Sequence, residues 1–447
     1  MANIAASKSL QRSRIPSGRV ERVARIGLLA GEIALGGIAE GFRRVSGFSE
    51  SATNAFLTVA NAEKLARRLS TMRGAAMKLG QMLSLEGEDL LPPEIARALH
   101  ILRSEAHAMP DAQLHRVLGR AYGRGWRERF AEIGMAPVAA ASIGQVHHAL
   151  DAEGNELALK IQYPGVAHSI ESDVDNLASV LRLSRLLPAE IDLSGVIRET
   201  KRQLRAETDY QREADNMRRY AALVADDDRV FVPRVHDALV TKHILAMDFV
   251  HGRPLEDLRS EEYGQSLRDE VGATLYRLLF REFLEFRFMQ TDPNPANYLF
   301  LPESERVALL DYGAAAELEP RLSQLYGQIF RAGMDGNREA MRAAMVAIGF
   351  FADDERPDCV AGVVDLFMLG CEPFRCEGPY DFGASDVPAR ARDIGMELTF
   401  AKGFFRPPPP KTIFLHRKLG GLFLLCARLG ARVDVRRLLR QSLDRSA

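Results

Sequence analysis

Gln290-Thr-Asp292-Pro-Asn-Pro-Ala-Asn297 runs directly into Tyr298-Leu-Phe300, and after a turn over Pro302 to Arg306 the chain resumes as Val307-Ala-Leu-Leu-Asp311-Tyr-Gly313. The two apolar runs are short, and so tight a turn between them pairs them as a β-hairpin. Its mouth collects three polar side chains, Asp292, Asn297 and Asp311. Asp, Asn and Pro also favour turns for conformational reasons alone. Order and spacing separate this stretch from an ordinary turn: four residues lie between Asp292 and Asn297, and Asp311 follows Asn297 by fourteen positions. A metal held by an amide oxygen and a carboxylate, with a second carboxylate placed to orient a hydroxyl or a water, is what phosphoryl transfer requires.

The D-x4-N spacing and the Asp311-Tyr-Gly313 triplet match the catalytic and metal-binding loops of protein kinases. Upstream, Leu157-Ala-Leu-Lys160-Ile-Gln162 sets a lysine among alternating apolar residues, the pattern of a strand whose lysine reaches nucleotide phosphates. Glu199, Glu207 and Glu213, on the helical stretch that follows, are candidate partners for it, and spacing does not choose among them. Ahead of the lysine, Pro137-Val-Ala139-Ala140-Ala141-Ser142-Ile-Gly-Gln145 carries alanines where a phosphate loop carries glycines. Backbone amides there can still approach phosphate, but the loop is stiffer.

Around these motifs the pattern is that of a globular protein. Hydrophobic residues make up 47% and charged residues 27% of the 447 residues, and the formal net charge of -1 gives no general attraction to nucleic acid. The four cysteines, Cys359, Cys371, Cys376 and Cys426, lack CxxC spacing, so no zinc site is expected. His147 and His148 are adjacent in a strand and point to opposite faces, which argues against a shared metal. Residues 1 to 25 form a basic segment, a disordered arm or a transit peptide, and Ile26 to Ala39 is an apolar, glycine-rich segment too short to span a bilayer, suited either to lie on one or to pack as a helix on the main domain. Helical spacing runs from Ala52 to about Phe130. A hairpin turning at Gly154-Asn155 occupies Val138 to Gln162, and helices return over Val174 to Val224 and 264 to 289. Short strands are expected near Phe231 to Val235 and His243 to Phe249.

With Lys78-Leu-Gly-Gln81, Ala139 to Ser142, Glu207-Thr-Asp209 followed by Tyr210-Gln-Arg-Glu213, Gln290 to Asn297 and Asp311 to Gly313 in this order, the chain resembles the UbiB family of atypical kinase-like proteins. It is similar in particular to the coenzyme Q biosynthesis branch, the aarF-domain kinases. Pro379 to Gly383 and Leu415-His-Arg-Lys-Leu-Gly-Gly421 look like the C-terminal part of that branch. The resemblance implies an α+β, atypical protein-kinase-like two-lobed fold with a helical N-terminal extension and a mostly helical C-terminal lobe. The expected divisions are a membrane-associating segment 1–50, a helical extension 51–130, an N-lobe 131–250 and a C-lobe 251–447.

Carried over by position, the resemblance implies that Lys160 contacts ATP and pairs with Glu213, that Asp292 is catalytic, and that Asn297 and Asp311 hold Mg2+. Ala139, Ala140, Ala141 and Ser142, with Met247, Asp248, Phe249 and Val250, complete the nucleotide-binding set. Lys78 and Gln81 are expected to meet Glu207 and Asp209 as a regulatory cluster. Gln290-Thr stands in place of the kinase His-Arg, Tyr312 in place of Phe, and no A-P-E signature follows. The implied function is an ATP-dependent kinase or ATPase supporting ubiquinone biosynthesis. Its partners are quinone precursors or the biosynthetic enzymes, and its place is peripheral at an anionic membrane, cytoplasmic or at the mitochondrial inner membrane. A nucleotide-gated scaffold and a conventional protein kinase are the alternatives.

Overall fold

The computed structural model describes residues 108–183 and 194–445, apart from 142, 353, 405 and 407. The basic arm, the apolar segment and the helix expected to carry Lys78 and Gln81 lie outside the described residues. The chain packs as two compact units, one made of residues up to Ala214 with Val235–Phe249, the other of Asp215–Arg234 with everything from Val250 onward.

The first unit opens with helix α1 (Asp111–Tyr122) and centres on a sheet of strands β1 (Phe130–Ile133), β2 (Ala139–Ala140), β3 (Gly144–Asp151) and β4 (Glu156–Gln162). After an excursion through β5 (Val230–Phe231) of the second unit, β6 (Ile244–Asp248) joins it. The order is β1-β3-β4-β6 with β2 also on β3, all antiparallel. The β3–β4 hairpin forms where the alternation predicts it. Asp151 Oδ1 accepts the backbone N–H of Glu153 and of Asn155, at 3.1 and 2.7 Å, and Gly154 takes the left-handed φ of 86° that closes the turn. Gly144 is required for another reason: a Cβ there would stand 2.3 Å from the Ile161 carbonyl oxygen. Helices α2 (Val166–Leu183) and α3 (Ser194–Glu207) and the first turn of α4 (Tyr210–Leu223) complete this unit. The helical reading to about Phe130 runs past the end of α1 and over a 3-10 turn at Trp126–Arg129 to the first residue of β1, a strand whose four residues, with Phe130 alone buried, show no alternation to detect.

In the second unit α5 (Gln265–Phe280) passes into a π-helical turn, Arg281–Phe286, which Arg287 ends at φ 49°. The helix therefore stops short of the expected 289. Strands β7 (Arg253–Pro254), β8 (Phe288–Gln290), β9 (Tyr298–Leu301), β10 (Arg306–Leu309) and β11 (Ala315–Glu317) follow in two small sheets, β5-β10-β9-β7 and β8-β11. The rest is mostly helical: α6 (Pro320–Asp335), α7 (Arg338–Ile348), α8 (Pro357–Gly370), α9 (Glu372–Arg375), α10 (Val387–Met396), α11 (Ile413–Leu429) and α12 (Val435–Arg445). Phe280, Phe283, Phe330 and Phe374 pack edge to face, with centroids 5.2–6.0 Å apart. Each buried ring contributes on the order of 2 kcal/mol, so this cluster is the unit's main apolar anchor.

His147 points into the first unit and His148 outward, against Phe249. The buried imidazole bonds the Gly134 carbonyl through Nδ1 at 2.7 Å and Gln145 Nε2 through Nε2 at 2.5 Å, while Gln145 Oε1 accepts the Met109 N–H. Donating from Nδ1 and accepting at Nε2 fits the neutral ring. Burial lowers the His147 pKa, against the pull of the Gly134 carbonyl and Asp111. The unfolded chain therefore binds a proton that the folded one refuses, and stability rises with pH just below 6.5, by up to about 1.4 kcal/mol per pH unit. Denaturant titrations between pH 5 and 7 should show that slope, and His147→Asn should flatten it; an unchanged slope in the variant would contradict the buried neutral ring.

Candidate functional site

Lys160 lies on the central strand of its sheet, opposite Val146 on β3 and Leu245 on β6, and its side chain is 8% exposed. Its Nζ donates to Glu213 Oε1 at 2.7 Å, and the Glu213 side chain is 1% exposed. Of the three candidate glutamates the structure thus brings Glu213 to the lysine. Glu207 is buried at the end of α3, and the Glu199 side chain lies outside what the structure describes. Glu213 sits in the first turn of α4, where the helix dipole favours a carboxylate. Asp209 bonds the Arg212 N–H at 3.1 Å, which makes it the cap of α4. Tyr210, next to it, lays its ring 5.4 Å from Lys160 Nζ.

Ala139 and Ala140 form β2, pairing with Val146 and Gln145, and the Ala141 N–H bonds the Gly144 carbonyl at 3.0 Å. The alanine segment is therefore a hairpin against β3; Ser142 lies outside the described residues. Met247 and Asp248 end β6 opposite Ala158 and Leu157, and Asp248 Oδ1 meets His236 Nε2 at 2.7 Å. The Phe249 N–H bonds the Glu156 carbonyl at 3.0 Å. Val250 is the first residue of the second unit's main stretch.

The other expected residues are all in the second unit, where two strand pairings align two loops. Residues 291–297 join β8 to β9, residues 310–314 join β10 to β11, and β8 pairs with β11 as β9 pairs with β10. Held at both ends, the loops lie side by side. The Leu310 N–H bonds the Asn297 carbonyl at 3.0 Å and Thr291 Oγ1 bonds the Ala314 carbonyl at 2.5 Å. Asn297 and Asp311 consequently flank the same end of the β9–β10 hairpin, and Asp292 belongs to the same loop. Asn294 Oδ1 caps the short turn through the Ala296 N–H, and the prolines around it set its direction.

The oxygen donors of these residues decide whether they fit Mg2+. Asn297 Nδ2 is directed at the Asp292 carbonyl, 3.3 Å away, which leaves its oxygen on the opposite side. Asp311 Oδ1 accepts the Gly313 N–H at 3.0 Å, which fixes the carboxylate. Among the described residues no group of three His, Cys, Asp or Glu side chains could hold a metal. An amide oxygen and one carboxylate are a fitting set for a small, hard cation that takes further oxygens from phosphates and water.

Beneath this loop is a cluster of buried charge that sequence reasoning missed. Glu282, in the π-helical turn, accepts Tyr220 Oη and the Gln290 N–H on Oε1, each at 2.9 Å, and Lys418 Nζ lies 3.3 Å from its Oε2. Burial pushes the Glu282 carboxyl up, while Lys418 and the two donors pull it down. For Lys418 burial pushes down and the Glu282 charge more than offsets it, raising the ammonium. Three donors on the carboxylate hold the pair in its ionised form. No local signal marks Glu282, which stands among Arg281, Glu285 and Arg287 in an ordinary helical pattern. Tyr312, in the Phe position of the triplet, is fully buried, 5.0 Å from the Tyr220 ring, and burial raises its phenol well above the usual range.

A family description, the ABC1 atypical kinase-like domain, matches residues 101–345. The chain belongs to the ABC1 atypical kinase-like family. It is 38% identical over 435 residues to the mitochondrial atypical kinase COQ8B of Rattus norvegicus, covering 97% of this chain and 82% of that one. It is 33% identical over 437 residues to the mitochondrial atypical kinase COQ8 of Saccharomyces cerevisiae, covering 97% and 86%. Among solved structures, the Rv3197–erythromycin complex from Mycobacterium tuberculosis is similar with a TM-score of 0.57 at 27% identity, covering 85% of this chain and 94% of that one. The UbiB resemblance and the α+β kinase-like fold expected from the motifs agree with this membership.

The Lys160–Glu213 pair has an energetic consequence. Removing one member of a buried ion pair strands the other, at a cost of about 3–5 kcal/mol, a large share of the 5–15 kcal/mol typical of a folded domain. Contrary to what a phosphate-contacting lysine suggests by itself, Lys160→Met should lower the melting temperature even without nucleotide. Adding Glu213→Gln should restore most of the loss; equal melting temperatures for Lys160→Met and the parent would show the pair to be open to water.

Proposed function

We propose that this chain binds ATP with magnesium and transfers or hydrolyses the terminal phosphoryl group in support of coenzyme Q biosynthesis. The observation that carries this reading is the paired loop arrangement, which brings an amide oxygen and a carboxylate, Asn297 and Asp311, to one end of a hairpin. Magnesium bound there supplies charge neutralisation to the phosphate oxygens. Lys160, oriented by Glu213, contacts the phosphates, and the backbone of Ala139 to Ser142 with Met247 to Val250 holds the rest of the nucleotide. Asp292 orients the attacking hydroxyl or water. Lys78 and Gln81, with Glu207 and Asp209, act as the regulatory cluster.

The pathway assignment rests on the relatives, which are named as COQ8 and COQ8B atypical kinases. A conventional protein kinase is disfavoured because Gln290, in place of the catalytic-loop His, is engaged within its own loop, bonding the Asp292 carbonyl at 2.8 Å. We place the protein at a membrane surface through residues 1 to 40. No helix among the described residues is long and apolar enough to cross a bilayer, and the relatives are named mitochondrial.

ATP turnover by the purified protein, with and without anionic liposomes and a phenolic quinone-precursor analogue, tests the reading. Turnover should rise with both additions, and Asp311→Asn should weaken magnesium-ATP binding tenfold or more, about 1.4 kcal/mol. Binding without turnover under every condition would instead favour a nucleotide-gated scaffold, and undiminished magnesium-ATP affinity in Asp311→Asn would remove the metal assignment.

A further inference from the structure

The Leu415–Gly421 segment, read in the sequence only as a family mark, lies in α11 and is set against the loop that carries Asp292 and Asn297. Lys418 Nζ donates to Gln290 Oε1 at 3.1 Å and to Tyr298 Oη at 3.2 Å, beside its ion pair with Glu282. Arg417, equally buried, brings Nη2 to 3.8 Å from Asp292 Oδ1. At Gly421 a Cβ would meet Pro293 Cβ at 2.3 Å and Cγ at 2.5 Å, so the helix backbone rests directly on the loop. Gly421 lies four residues beyond Arg417 and three beyond Lys418, spacings that share a side of a helix, which is how one element reaches three points of one loop.

The hydrogen bonds fix an order of command. An ammonium has donors only, so the Gln290 amide must present its oxygen to Lys418, and its nitrogen then turns to the Asp292 carbonyl at 2.8 Å. The same carbonyl, with two lone pairs, accepts Asn297 Nδ2 at 3.3 Å. If Gln290 were to reverse, its oxygen would face that carbonyl, the two acceptors would repel, and the loop peptide that holds Asn297 would have to move.

We propose that Lys418, held by Glu282, is a positioning residue that acts through Gln290 and the Asp292 carbonyl to set how Asn297 presents its amide oxygen, with Gly421 fixing how closely α11 supports the loop. The role rests on the reading of Asn297 and Asp311 as metal ligands and deepens it. A purely structural role for the same pair would alter melting temperature and leave magnesium dependence alone. A positioning role alters magnesium dependence specifically.

The experiment is ATP affinity by calorimetry, with magnesium and with a chelator, beside the melting temperature. Glu282→Gln with Lys418→Met removes both buried charges together, and Gly421→Ala presses on Pro293 while favouring the helix. Both variants should keep their magnesium-free ATP affinity within about twofold and lose about tenfold of the magnesium enhancement, the range seen when groups that orient metal ligands are removed. If the double variant does not fold, Gly421→Ala decides alone. Full enhancement in the folded variants, with enhancement lost in Asp311→Asn, overturns the positioning role and leaves the metal reading standing. Enhancement that also survives Asp311→Asn overturns both. A loss of affinity equal with and without magnesium marks general damage and likewise overturns the positioning role.

Discussion

A charge taken out of water has to be met by another, and this constraint organises each unit around one buried lysine. In the first, Lys160 reaches Glu213 from the middle of a sheet, which ties the central strand to the start of α4. In the second, Lys418 reaches Glu282 from α11, which ties that helix to the π-helical turn and, through Gln290, to the loop above it. Replacing such pairs with well-packed apolar residues is often neutral or favourable for stability, so their presence points to what they orient. One holds the lysine proposed to meet nucleotide phosphates, and the other braces the loop of the proposed metal ligand Asn297.

The fold was legible where local chemistry repeats. Alternation over Val146 to Ile161 with a glycine turn gave the β3–β4 hairpin, and the Pro302 to Arg306 turn between two apolar runs gave β9 and β10. It was illegible where an element is too short to carry a period, as in β1, or where tertiary contact ends a helix, as at Arg287. The polar residues of the loops could be read because order and spacing identify them. The partner of Lys160 could not be chosen by spacing, since Glu207 and Glu213 lie on successive helices and are both buried, and only packing brings Glu213 to the lysine. Lys418 and Glu282 were invisible for a stronger reason: each sits in an ordinary helical pattern, and their meaning comes from a pairing between distant segments.

The alanine segment departs from the glycine-rich loop of protein kinases inside a kinase-like framework. Ala139 and Ala140 are paired into β2, so the backbone over the expected phosphate position is a hairpin with its own hydrogen bonds. Alanine resists the conformations that glycine allows, and a stiffer loop favours one bound geometry over adaptation. Gln290 in the catalytic-loop position belongs to the same departure, since its amide is used to brace its own loop.

The proposed function assigns the metal to Asn297 and Asp311 and the phosphates to Lys160. Its most direct measurement is a crystal structure with a non-hydrolysable ATP analogue and manganese, using the anomalous signal to locate the metal. The account predicts one manganese peak bonded to Asn297 Oδ1 and an Asp311 carboxylate oxygen, at about 2.1–2.2 Å as for other small hard cations, with Lys160 Nζ on a phosphate oxygen. A peak bonded to other side chains, or a nucleotide whose phosphates leave Lys160 bound to Glu213 alone, would contradict it.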